Sequence, residues 1–251
     1  MKKQKTVSIK AKLLGVIIPV VIAIVVVLVV AAYQISAGTI KKYSQNLLQS
    51  SVENQASQIE AWLNENLASF QMAKTIIEDL KPSDEELKTI LDGYYGYNSN
   101  YPEGLYVADS TGQLITASES TKKESDVTNS TWYKEGLTRV NMAVGSAYQN
   151  ADGVNVISAS GILNDGSDKV RVISADMTLD RIAIIVNSFI EMNDAEAFLV
   201  DKTSGVILAN RDSSLISQTL GAEGQSHFYQ LTAEKAAEKD YNFATLDGNK
   251  I

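Results

Sequence analysis

Twenty consecutive residues, Leu13 to Ala32, carry no charge, and fifteen of them are Val, Ile or Leu. An α-helix rises ~1.5 Å per residue, so this run spans ~30 Å, the thickness of a bilayer's hydrocarbon core. Each such side chain near the bilayer centre favours insertion by roughly 0.3–0.6 kcal/mol, so the whole run is strongly held. Pro19 lies within it and is tolerated in a membrane helix. Five lysines (Lys2, Lys3, Lys5, Lys10 and Lys12) precede the run with no acid among them, and no charge follows until Lys41. That asymmetry predicts a cytoplasmic N-terminus and an extracellular remainder, a single pass through the cell membrane. A cleaved signal peptide is the competing reading, but its apolar core measures ~7–15 residues, shorter than this one.

Beyond the run the chain is acidic. Residues 33–251 hold 17 basic against 30 acidic side chains, a net charge of −13. Such a surface repels phosphates and argues against nucleic-acid binding. The sequence has no cysteine, which excludes disulfides and thiolate metal sites, and one histidine, His227, which excludes a multi-histidine centre. No metal or cofactor is expected. Glycine-rich phosphate loops and nucleophile elbows are missing from the sequence, so no enzyme activity is expected either.

From Ser36 to about Leu80 apolar residues recur at threes and fours (Leu48, Val52, Ala56, Ile59, Leu63, Leu67, Phe70, Ala73, Ile77, Leu80), the pattern of one long helix. Ser83 with Glu86 reads as a capping box opening a short helix. Asn98 to Glu103 reads as a loop. Gly104 to Ala108 and Gln113 to Ala117 read as strands about a turn at Asp109 to Gly112. Trp132 to Val140 is expected as a short helix, Val154 to Leu163 and Lys169 to Met177 as strands, and Leu179 to Phe189 as an amphipathic helix. In the second of those strands Val170, Val172, Ser174 and Asp176 share a face.

The strand, Asp-containing turn, strand pattern returns about 92 positions later, at Ala195 to Val200, Asp201 to Gly205 and Val206 to Ala209. This predicts two modules in tandem. The second would add a helix at Phe228 to Lys239 and a strand at Tyr241 to Leu246, with Ile251 beginning a return strand. The predicted organisation is a lysine-rich cytoplasmic tail (1–12), a transmembrane helix (13–33), a long helix (36–81), a membrane-distal module (82–189) and an incomplete membrane-proximal one (190–251). The fold class is α+β.

Trp132, Tyr133, Tyr148 and Asp176 stand out chemically. Aromatic rings can wall a small pocket, and a carboxylate at a strand end can accept hydrogen bonds from an amine. The same residues also suit a packed aromatic core and an Asp that caps the following helix.

At these positions the sequence resembles the double Cache sensor of bacterial methyl-accepting chemotaxis proteins, with two PAS-like modules of antiparallel sheet and flanking helices. The likeness rests on Trp132-Tyr133, on Tyr148 fifteen residues further, and on Asp176 in the segment Ser174 to Arg181. It implies that the distal module binds a small molecule, often an amino acid. The family's Arg would fall at Ser130, and an earlier Tyr near Ser125, so the usual partner for a ligand carboxylate is missing. The expected ligand is therefore amine-bearing or neutral. Asp126 would add a second carboxylate, and Lys122 or Lys123 could stand in for the Arg.

The resemblance further implies a chemotaxis transducer, a homodimer, and cytoplasmic signalling partners reached through a region beyond Ile251. The same sensor could feed a histidine kinase or a diguanylate cyclase. A membrane-tethered adhesion or structural domain is the alternative from another class.

Overall fold

The computed structural model describes residues 9–188, 197–202 and 204–236. They fall in two compact units, one reaching to Ser51 and one beginning at Val52. Helix α1 runs from Ile9 to Leu80. The stretches expected as a membrane segment and a separate long helix thus belong to one element, and Lys10 and Lys12 lie in its first turns. In the first unit its apolar side chains are exposed, among them Val16, Leu28 and Val29. Mean hydropathy reaches 3.5 over an 18-residue window there, long and apolar enough to cross a membrane.

In the second unit the helix turns a core face inward. Ile59, Phe70, Ala73 and Ile77 are buried, with Leu63 and Leu67 packed beside them, as the periodicity predicts. Val52 and Leu80, at the ends of that stripe, stay exposed. Each fully buried side chain of this kind contributes roughly 1.5–3 kcal/mol. Helix α2 (Asp84–Asp92) packs Leu87 and Leu91 into the same core. Its capping box is complete: Ser83 accepts from the Glu86 backbone N–H, and the Glu86 carboxylate accepts from the Ser83 N–H at 2.9 Å.

Five strands form one antiparallel sheet in the order β2-β1-β5-β4-β3: β1 Leu105–Asp109, β2 Leu114–Ile115, β3 Ala143–Gln149, β4 Asn155–Leu163 and β5 Arg171–Thr178. One face carries Leu105, Val107, Ile173, Ala175 and Met177 into the main core beneath α1, α2 and α4 (Asp180–Asn187). The other carries Tyr106, Ala108 and Val172 against α3 (Thr131–Gly136) and the short 3-10 turn before it. Alternation along β5 follows the sequence expectation from Val172 to Asp176, while Val170 falls before the strand and is exposed. The β1–β2 turn is held by Asp109, which accepts from Thr111, Gln113 and Lys169. Burial pushes this carboxyl up, but those donors outweigh it and hold the pKa at about 2.

Two differences from the sequence reading have physical causes. Helix α3 ends at Gly136 rather than Val140, because the Thr138 and Arg139 N–H groups bond three residues back, to Glu135 and Gly136, which tightens the chain out of the α-helical path. Strand β3 had no sequence signal. Gly145 and Ser146 break its alternation, and they sit at an irregularity in its pairing with β4 where Glu135 accepts from the Ser146 N–H.

After α4, β6 (Leu199–Val200) and β7 (Ile207–Ala209) pair antiparallel about the turn Asp201 to Gly205, the same arrangement as β1 and β2. Gly205 adopts a positive φ of 71° there, which favours glycine. Helix α5 spans His227–Ala236. The strand expected at Tyr241 to Leu246 and the return strand at Ile251 lie outside the described residues.

Candidate ligand site

Antiparallel register brings four polar side chains to one place on the α3 side of the sheet. Ser158 of β4 stands opposite Asp176 of β5. Tyr106 of β1 stands opposite Ser174, two positions along β5 from Asp176. Tyr148 of β3 pairs with Val156, diagonal to Ser158. Residues on one face at this spacing reach each other.

They converge on the Asp176 carboxylate. Its Oδ1 accepts from Ser158 Oγ at 2.5 Å, from Tyr148 Oη at 3.1 Å and from Tyr106 Oη. Its Oδ2 accepts from Lys122 Nζ at 2.6 Å, and the two side chains are only 7% and 6% exposed. The same ammonium lies 4.2 Å from the centroid of the Tyr106 ring, a cation–π arrangement. A buried carboxylate is costly unless it is paired and hydrogen-bonded, and here three hydroxyls and one ammonium reach it. Burial, and then the Asp176 charge, push the phenols of Tyr106 and Tyr148 up, so both remain donors.

Trp132 is fully buried behind this cluster, edge-on to Tyr106 with centroids 4.9 Å apart. Its indole N–H donates to Glu124 Oε2 at 2.8 Å. Burial pushes the Glu124 carboxyl up, against the Trp132 bond and the Lys122 charge, which pull it down.

Of the residues singled out in the sequence, Asp176, Tyr148 and Trp132 are brought together. Tyr133 is buried edge-on behind Trp132, and the charge acting on its phenol is that of Asp109. The Ser130 hydroxyl donates to the Val127 carbonyl at 2.6 Å. Asp126 is exposed and ties its own loop through Thr128 and Asn129, so it does not join the carboxylate cluster. The sequence alone does not single out Tyr106, Ser158 or Glu124. Strand alternation marks Tyr106 and Ser158 as facing one side, but nothing in the sequence says which strands pair. Among the described residues no cluster of three or more His, Cys, Asp or Glu side chains is placed to hold a metal. A cavity of about 600 Å³ lies elsewhere, beside Lys74, Glu78, Asp165 and Arg171, whose charges already pair with one another or with Asp84.

A family model described as a Cache domain, of the double Cache type, matches residues 32–249. The chain belongs to the Cache domain family. Similar solved structures agree with this fold. One is the ligand-binding domain of the Pseudomonas aeruginosa PAO1 amino acid chemoreceptor PctC in complex with GABA: 22% identity, TM-score 0.60, covering 71% of this chain and 81% of that one. Another is that of the Campylobacter jejuni chemoreceptor Tlp3 in complex with 4-methylisoleucine: 19% identity, TM-score 0.60, covering 78% of each. A third is that of the Pseudomonas fluorescens chemoreceptor CtaA in complex with L-valine: 22% identity, TM-score 0.58, covering 70% and 78%. No match is found among curated proteins. This Cache chain thus has a mixed fold of helices and antiparallel sheet on a long N-terminal helix, PAS-like in its sheet.

Proposed function

We propose that this chain is the sensor of a chemotaxis transducer, and that it takes an ammonium-bearing small molecule at Asp176. The observation that carries the reading is the receiving geometry. One carboxylate oxygen is saturated by three hydroxyls, the other faces an ammonium, and an aromatic ring lies against that ammonium. Such a cage discriminates cations by charge and by ring contact. The chemoreceptor domains of similar fold are bound to GABA, 4-methylisoleucine and L-valine, all of which carry an amine.

The site lies in the distal module, 82–189, and the β6–β7 hairpin opens a second, membrane-proximal module of the same kind. Helix α1 anchors the sensor, with its N-terminus cytoplasmic, and the transducer works as a homodimer. Binding outside would bias the packing of α1, the element available to carry a change to the membrane. Its action is recognition, with no catalysis.

Thermal stabilisation against a panel of amines and amino acids tests this. A ligand at 100 times its Kd adds about 2.7 kcal/mol to unfolding free energy. Tyr148→Phe and Asp176→Asn are expected to weaken binding at least tenfold, and Trp132→Ala to weaken it while the fold persists by circular dichroism. Undiminished binding in all three would place the ligand elsewhere.

A further inference from the structure

The groups gathered at Asp176 are supplied by strands of the sheet and the Trp132 indole by α3, whereas the two groups seated on them come from one short stretch of loop. Lys122 donates from its ammonium to Asp176, and Glu124, two residues on, accepts at its carboxylate from the Trp132 indole N–H. Between them Lys123 is exposed, as are Ser125 and Asp126. The loop is tied to the body of the module near its start, where Ser118 donates to the Asp92 carboxylate and Ser120 Oγ donates to Glu103 while accepting from the Lys122 N–H. The site therefore has a receiving side built on strands and a helix, and a filling side carried by a loop held at its start.

We propose that Lys122 and Glu124 are a built-in occupant of the ligand site, an ammonium and a carboxylate that fill its two polar positions and that a ligand must displace. This rests on reading the Asp176 cluster as the ligand pocket. The consequences follow from competition. A group on a short tether acts at an effective concentration in the millimolar range, so a free ammonium competes against that. Apparent affinity is the intrinsic affinity multiplied by the fraction of chains whose loop is out.

The occupant also sets specificity. A simple monoamine replaces Lys122 at Asp176 but leaves the displaced ammonium without a partner. A molecule bearing an amine and an acid group replaces both loop contacts, and Lys122, released beside it, can pair with the acid. Lys122 thus supplies the cation that Ser130 cannot, and the site favours ligands carrying both charges over monoamines.

Two measurements on the full chain in nanodiscs test the occupant itself. In the first, amine acylation read by mass spectrometry compares Lys122 with its exposed neighbour Lys123. Lys122 is expected to react at least tenfold more slowly, and the two are expected to become alike in Asp176→Asn. Equal reactivity in the unaltered chain overturns the proposal. In the second, Lys122→Ala removes the atoms of n-propylammonium, and that ion is the probe. It is expected to raise the melting temperature of Lys122→Ala by roughly 4 °C or more at saturation. It is expected to leave the unaltered chain and the Lys122→Ala/Asp176→Asn double variant unmoved, and n-propanol to do nothing in any of them. A response of equal size in the unaltered chain, or to n-propanol, overturns it. If Lys122→Ala fails to fold, the labelling comparison alone decides. If n-propylammonium restores Lys122→Ala while no amine or amino acid stabilises the unaltered chain, the filled cation position stands and the receptor reading falls.

Discussion

Glu124 is a carboxylate in the wrong surroundings for its charge. Burial raises its pKa above 4.5 despite the indole N–H and the neighbouring lysine. The folded state therefore binds its proton more readily than the unfolded state does, and this group lowers stability as pH rises through the folded pKa. Below 4.5 it is neutral in both states and the penalty vanishes. Glu124→Gln is neutral at every pH, and its amide oxygen can still accept from Trp132. The variant is expected to melt higher than the unaltered chain at pH 7 to 8, with the gap closing as pH approaches 4.5. Melting curves across that range check it, and a gap that widens in acid would refute the cause. Residue chemistry was partly legible in the sequence. Asp176, Tyr148 and Trp132 stand out by type and spacing, and the sequence offers Lys122 or Lys123 alike as a substitute cation. Glu124 and Tyr106 do not stand out, because an acid in a polar loop and an aromatic in an apolar strand look ordinary until the loop is laid across the strand.

At the scale of elements, the position of the Trp132 wall depends on how closely α3 lies on the sheet. Gly136 ends that helix, and a Cβ there would fall 2.3 Å from Val172 Cγ1 and 3.2 Å from Ser160 Cβ. Val172 is fully buried and β-branched, so it cannot swing aside. Alanine improves helix propensity by about 1 kcal/mol, whereas overpacking a core costs about 1–3 kcal/mol. The two terms oppose, and overpacking wins because the contact is far inside van der Waals distance. Gly136→Ala is expected to lower unfolding free energy by roughly 1 kcal/mol or more in denaturant titration, and to loosen ligand binding by tilting Trp132. Elements with an uninterrupted period were readable: α1, the capped α2, β4 and β5. Strand β3 was not, because Gly145 and Ser146 interrupt it and its pairing is closed by Glu135 from another element. Strand order lies outside what a single sequence encodes locally, which is why the residues meeting at Asp176 could be listed in part but not assembled.

For the molecule as a whole, five lysines on one side of the apolar run and an acidic remainder on the other argue for one orientation across the membrane. Protease added to intact protoplasts is expected to degrade residues beyond the run and leave the N-terminal lysines protected. Protection of the whole chain would reverse the topology. In the proposed orientation the domain would meet whatever salt the surroundings hold, and at 0.15 M exposed charges more than about 8 Å apart are largely screened from each other. The Lys122–Asp176 pair is shut away from that screening by its burial. Trading one ammonium for another at this buried carboxylate leaves the charge on Asp176 equally compensated, so that one exchange would carry little dependence on salinity. In the proposed sensor, the amine of a ligand would then be recognised alike in brackish and in fresh water.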